Sequence, residues 1–190
     1  MRRSVLAMCV FILACEWFYY GSYWAFSADI DRLYFPFDAH FGEWLSIIGI
    51  VIGYCARPIG AFLLAPFADR RGRIPAMKVA VSLSAIPTIM MAILPTYHQW
   101  GETSSFLMIL LRLLQGVSLG AVAPAGQIYL SELAPPQQRT YVTSFYFVSV
   151  ALGACCAILL LIGVTAALNT PNLHQWGWRI PSIISIILTL

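Results

Sequence analysis

Three ionisable side chains, Glu16, Arg57 and Arg112, interrupt long apolar runs, and they are the residues with which this chain could do chemistry. Their settings, Cys15-Glu16-Trp17, Ala56-Arg57-Pro58 and Leu111-Arg112-Leu113, otherwise belong in hydrocarbon. A charge at the centre of a bilayer costs roughly 2.5–3.5 kcal/mol on insertion scales, so its presence needs a reason. The chemistry open to one carboxyl group and two guanidiniums is recognition rather than bond making. Arginine holds a carboxylate through a planar fork of N–H donors. Tyr19, Tyr20, Tyr23 and Trp24 place an aromatic run beside Glu16, and Tyr20 is the cavity-lining candidate among them. Aromatic packing is the competing reading of that run.

The elements that must position these groups follow from composition. Of 190 residues, 60% are hydrophobic and only 10% are charged, against roughly 25% charged in a soluble domain. A water-soluble fold of this size could not hide so much apolar surface. The alternative solvent is lipid, whose core of ~30 Å takes ~20 apolar residues per helix. Hydropathy predicts spans over residues 4–28, 44–67, 77–97, 104–130 and 140–168, with a sixth over 176–190 that is still apolar at its end. The runs are continuous rather than alternating, so an all-α membrane protein is expected and a barrel is not. Counting 1.5 Å per residue puts Glu16, Arg57 and Arg112 ~12–18 Å from a membrane face, all near mid-bilayer.

Loop charge sets the orientation. Arg2 and Arg3, then Arg70, Arg71, Arg73 and Lys78, then Arg139 lie at one set of span ends. Asp29, Asp31, Arg32, Asp38, Glu43, His98, Glu102 and residues 169–175 lie at the other. Short basic loops stay in the cytoplasm, so the amino terminus is expected inside. A cleaved signal peptide is the competing reading of the first run; its length and Glu16 argue against it.

Other function classes find no support. The formal charge of +3 forms no dense basic stripe, so nucleic acid is not an expected partner. Cys9, Cys15, Cys55, Cys155 and Cys156 all lie in apolar runs, and none has metal-site spacing with a histidine. His40, His98 and His174 are lone loop residues. There is no phosphate-cradling loop and no nucleophile–base pair, so neither a cofactor, a metal nor enzyme activity is expected.

The loop after the second span reads Phe67-Ala68-Asp69-Arg70-Arg71-Gly72-Arg73. It resembles the signature loop of the major facilitator superfamily, with Ala65 and Ile74 at two positions where that pattern differs. Glu16-Trp17-Phe18 with Gly21, Ala56-Arg57-Pro58-Ile59-Gly60, Leu94-Pro95-Thr96-Tyr97, Arg112-Leu113-Leu114-Gln115-Gly116 with Gly120, Glu132 to Arg139, and Trp176-Gly177-Trp178-Arg179-Ile180-Pro181 follow in collinear order. Together they resemble the metabolite:proton symporters of that superfamily over nearly the whole chain.

The resemblance implies the amino-terminal six-helix bundle of a twelve-span carrier, built from two inverted three-helix repeats. It implies alternating access and proton-driven uptake of a small organic acid or zwitterion, of the proline, betaine, shikimate or citrate type. In that fold the first and fourth spans line a central cavity, where Glu16 would offset Arg112 until a substrate carboxylate competes for the guanidinium. With Arg57 the cluster is net positive. The competing readings are a structural Glu16–Arg112 salt bridge, and an Arg57 that satisfies a carbonyl freed by Pro58. Asp69, Arg70, Gly72, Arg73, Glu132 and Arg139 are expected to form a cytoplasmic gate, with Asp69 facing a helix amino terminus or Arg139. Tyr19 and Val122 stand where the family carries protonatable acids.

Residues 180–190 make ~15 Å of helix, about half a bilayer. The expectation is a truncated sixth helix and an absent carboxy-terminal bundle. The partners would be a bilayer, a small-molecule substrate, protons and the missing half. A non-transporting membrane fragment is the alternative.

Overall fold

The structure is a computed structural model that describes residues 3–36, 39–168 and 176–189. Arg2, Asp38, residues 169–175 and Leu190, which enter the orientation and chain-end readings, lie outside the described residues, as do the side chains of Arg3, His40 and Glu43. The described chain runs through α1 (Arg3–Ala25), α2 (Ser27–Tyr34), α3 (Ala39–Cys55), α4 (Arg57–Arg71), α5 (Arg73–Ile93), α6 (Tyr97–Trp100), α7 (Glu102–Leu133), a 3-10 turn (Pro136–Gln138), α8 (Arg139–Ala167) and α9 (Arg179–Thr189), with no strand among the described residues. Among the described residues, five stretches are long and apolar enough to cross a membrane: Val5–Ala25, Ile47–Arg71, Arg73–Ile93, Glu102–Leu133 and Pro136–Ala167. The shorter apolar helix Arg179–Leu188 occupies the sixth position.

The second of these stretches is one path made of two helices. Pro58 offers no N–H and its ring crowds the preceding turn, so the helix breaks at Ala56. The chain stays continuous there: the Ala56 N–H reaches the Ile52 carbonyl at 2.9 Å, and the Gly60 N–H reaches the Ala56 carbonyl at 3.2 Å. The kink expected at Pro58 is present. Pro66, Pro87 and Pro124 are accommodated inside α4, α5 and α7. Gly72 makes the one-residue turn from α4 to α5 at φ 95°, where a side chain would be strained.

Several span ends differ from the hydropathy reading, α4 running on to Arg71 among them, and two of the differences bear on packing. The acidic segment after the first span is not a plain loop, because α2 fills Ser27–Tyr34 and buries Ile30 and Tyr34. The Tyr34 hydroxyl donates to the Leu94 carbonyl at 2.8 Å. The second difference is α5, which begins at Arg73, four residues earlier than read, since the basic turn itself is helical.

Packing repeats itself between the two halves of the bundle. The first helix, α1, packs along α8, as α7 packs along α3 and α4; α5 packs on α7, as α9 packs on α1; and α5 meets α9. Exchanging the first three spans with the second three maps these pairs onto one another, which is the contact pattern of an inverted repeat. Small residues let the backbones approach. A Cβ on Gly116 would overlap the Gly53 backbone, one on Gly120 the Arg57 backbone, and one on Gly60 the Val117 carbonyl. In the equivalent α1–α8 seam, Gly153 lies against the backbone of Ala14 and Phe18. A Cβ on Gly49 would meet the Tyr23 hydroxyl at 3.6 Å.

Arg179 closes the end of the bundle where α5 stops. Its Nε donates to the Ala92 carbonyl at 3.0 Å and its Nη2 to the Leu94 carbonyl at 2.8 Å. It thereby satisfies carbonyls at the carboxyl end of α5 that the helix leaves open. Large apolar side chains such as Phe62, Ile93 and Phe106 point outward, 80%, 74% and 66% exposed. So wide an apolar belt suits lipid or further helices rather than water.

Candidate functional site

Tyr20 on α1 is the centre of the polar interior. Its ring packs edge-on against Trp17 (centroids 6.2 Å apart) and Tyr54 of α3 (5.3 Å). Arg57, the first residue of α4, is brought over these rings by the break at Ala56. Its guanidinium carbon lies 3.8 Å from the Tyr54 centroid, 4.7 Å from Tyr20 and 5.2 Å from Trp17. Arg112 comes from the middle of α7 and is 2% exposed. Its guanidinium lies 3.0 Å from the Tyr23 centroid and 5.7 Å from Tyr20, and its Nη1 donates to Gln115 Oε1. Arg57, Arg112 and Tyr20 therefore form one cluster, with Tyr20 between the two cations. Aromatic faces stabilise each cation electrostatically.

Those faces do not replace hydrogen bonds. Nε and Nη2 of Arg57, and Nε and Nη2 of Arg112, are buried without a partner. Neither guanidinium makes an ion pair among the described residues. Buried donors are nearly always paired in native proteins, so four open N–H-bearing atoms on two adjacent cations mark a place where acceptor oxygens fit. The planar fork of each guanidinium suits a carboxylate.

Glu16 stands apart from this cluster, and the expected Glu16–Arg112 ion pair does not form. The Ser84 hydroxyl of α5 donates to Glu16 Oε1 at 2.7 Å. Glu16 is 9% exposed and faces the seam between α1, α5 and α9, where it lines both a small cavity and a groove of about 390 Å³ toward Lys78 and Tyr129. Equal depth in the membrane holds two groups at one level, whereas their direction around the helix axis depends on packing.

At the turn between α4 and α5, Arg73 bridges two acids. Its Nη1 lies 2.6 Å from Asp69 Oδ1 and its Nε 3.3 Å from Glu132 Oε1. Asp69 thus meets Arg73, at the start of α5, rather than Arg139. Arg70, Arg71 and Arg139 are exposed and make no ion pair among the described residues. Gly72 holds the turn that lets Arg73 reach back to Asp69.

Sequence reading missed Gln115, Tyr54 and Ser84 as partners. Gln115 lies three residues from Arg112 on the same helical face, so that signal was available, whereas Tyr54 and Arg57 lie on either side of the break at Ala56. A lone serine within a span carries none.

The described residues form a helical bundle with five stretches long and apolar enough to cross a membrane. The model of the family described as "Sugar (and other) transporter" matches residues 7–190, and the chain belongs to that family of the major facilitator superfamily. It is 30% identical over 176 residues to the alpha-ketoglutarate permease of Escherichia coli (strain K12), covering 92% of this chain and 41% of the permease. It is 30% identical over 179 residues to the citrate-proton symporter of Salmonella typhi, covering 94% of this chain and 41% of the symporter. The chain thus spans about two-fifths of the length of these relatives. Among solved structures, the proton:xylose symporter XylE bound to 6-bromo-6-deoxy-D-glucose matches with a TM-score of 0.80 at 16% identity, covering 100% of this chain and 45% of that one. The inward-open form of XylE from E. coli matches at 0.78. These likenesses at low identity establish the shared fold.

Proposed function

We propose that this chain is the amino-terminal half of a secondary carrier that takes up a small organic acid or zwitterion, with protons, by alternating access in a bacterial inner membrane. The observation that carries the reading is the pair of guanidiniums, Arg57 and Arg112, flanking Tyr20 with open N–H edges and no carboxylate of their own. A cation pair without a counter-ion is costly in a membrane, and a substrate carboxylate repays it through charge-assisted hydrogen bonds. Two relatives point the same way, one named for alpha-ketoglutarate and one for citrate and protons. Glu16 supplies the protonatable group.

Basic loop residues put the amino terminus in the cytoplasm. There the Asp69–Arg73–Glu132 bridge, with Arg70, Gly72 and Arg139 around it, serves as an inner gate that ties α4 and α5 to the end of α7. Bridges of this kind suit a gate because exposed ion pairs are weak and break readily.

The test is Arg112→Lys placed in a full-length relative reconstituted in vesicles. Lysine keeps the charge and loses the fork, so uptake of 2-oxoglutarate falls at least about tenfold while membrane insertion is unchanged. Normal uptake removes the reading. The share of relatives' length spanned favours a second reading, in which these 190 residues alone insert but do not transport. Vesicles holding this chain alone, assayed for the same uptake, separate the two.

A further inference from the structure

Gln115 adds a fifth open donor to the arginine cluster. Nε and Nη2 of Arg57, Nε and Nη2 of Arg112, and Nε2 of Gln115 are all buried without a partner among the described residues. The Gln115 amide has a defined orientation. Its Oε1 accepts from Arg112 Nη1, so its nitrogen faces the other way. Gln115 is 2% exposed, which keeps bulk water from that nitrogen. Each Nε carries one hydrogen, while each Nη2 and the Gln115 nitrogen carry two, so the cluster holds about eight open N–H groups. One carboxylate offers about four lone-pair sites. The donors therefore suit two carboxylates and exceed what one can accept.

The surroundings weigh against a ligand with a positive end. Among the described residues neither guanidinium makes an ion pair, and Glu16 is held by Ser84 on the α5 side. The Gln115 carbonyl oxygen is already taken by Arg112. Aromatic faces, which could receive an ammonium, are covered as well: Arg57 lies 3.8 Å from the Tyr54 centroid and Arg112 3.0 Å from that of Tyr23. Two fixed cations repel a third. Both guanidiniums lie beside the same Tyr20 ring, at 4.7 and 5.7 Å from its centroid, so one small molecule can reach both.

We propose that Gln115 is a specificity-determining residue which, with Arg57 and Arg112, makes the cluster select a dicarboxylate dianion over monocarboxylates and zwitterions. The inference rests on the carboxylate-binding reading above and narrows its substrate class. Two negative charges match two guanidiniums, so the filled site is neutral and its open donors all find acceptors. A monocarboxylate leaves one positive charge and about half of the N–H groups uncompensated. A zwitterion adds an ammonium where donors already outnumber acceptors. Gln115 decides the balance because its amide supplies hydrogens without adding charge. A glutamate there would neutralise Arg112 from within and leave room for a single anionic group.

The test is calorimetric binding to this chain in lipid nanodiscs, with empty nanodiscs subtracted. Three ligands share a carboxylate and three methylenes and differ only in the last group. Glutarate ends in a carboxylate, pentanoate in a methyl and 4-aminobutyrate in an ammonium. Glutarate is expected to bind at least about tenfold more tightly than pentanoate, the gain from one further charged hydrogen-bonded pair, and 4-aminobutyrate more weakly than pentanoate. In Gln115→Glu, glutarate loses its advantage over pentanoate. A residue that only packs would lower both affinities and leave their ratio unchanged. Should Gln115→Glu fail to insert, Gln115→Met, which keeps the volume and removes both polar atoms, is read for the same fall in ratio. An unchanged ratio in the variant, or 4-aminobutyrate binding as tightly as glutarate, overturns the proposal. Equal binding of glutarate and pentanoate to the wild type overturns it too, yet leaves carboxylate binding standing. No binding of either overturns both.

Discussion

At the scale of single residues, the unusual feature is two arginines held by aromatic faces rather than by acids. Tyr20 serves both, so its ring is the strut of the cluster. Tyr20→Leu removes the shared face and is expected to weaken carboxylate binding about three- to tenfold, by roughly the 0.5–1 kcal/mol or more of a cation–π contact; binding isotherms of wild type and variant check this. Arg57 and Arg112 were legible in the sequence because a charge in an apolar run is expensive and conspicuous. The partner of Glu16 was not. Depth counted along a helix fixes a residue's level, but a rotation of the helix decides whether it meets α7 or α5, and Ser84 looks like any serine in a span. Tyr54 was hidden for another reason: it reaches Arg57 only because the chain breaks between them at Ala56.

At the scale of elements, close approach of backbones is the organising constraint. Gly120 and Gly60 lie where α7 crosses the kinked α3–α4 path, and neither position has room for a Cβ. Gly120→Ala is expected to destabilise the bundle by about 1–3 kcal/mol, the usual range for overpacking. Gly163→Ala on α8 has nothing within 4 Å of the added carbon and is expected to be neutral or stabilising by up to about 1 kcal/mol. Thermal unfolding in detergent distinguishes the pair, and equal behaviour would remove the packing argument. Arg179 makes a separate prediction at this scale. Arg179→Met leaves the Ala92 carbonyl open and the Leu94 carbonyl with the Tyr34 hydroxyl alone, and is expected to cost about 1.5–3 kcal/mol, the range for charged hydrogen bonds, with faster amide exchange at the carboxyl end of α5. Close packing on α7 rests on glycines four residues apart, a local pattern, whereas the Arg179 latch joins residues more than eighty positions apart and no local pattern announces it.

At the scale of the molecule, the bundle is one half of a carrier fold, with two three-span units packed in the same pairs. Lipid demands long, unbroken apolar helices, which is what hydropathy reads; it does not see α2 or the start of α5, which are helical for tertiary reasons. The exposed Arg73 bridge adds little to folding, so Arg73→Gln is expected to leave the unfolding temperature nearly unchanged while altering gating in a full-length relative. The central claim is that Arg57 and Arg112 together receive a carboxylate. The most direct measurement is arginine Nε NMR of the nitrogen-15-labelled chain in nanodiscs, with 2-oxoglutarate titrated in and signals assigned by Arg57→Lys and Arg112→Lys. The account predicts that the Arg57 and Arg112 signals shift together and saturate while Arg179 stays fixed. Shifts confined to the surface arginines Arg70 and Arg71, with both cluster signals unmoved, would contradict it.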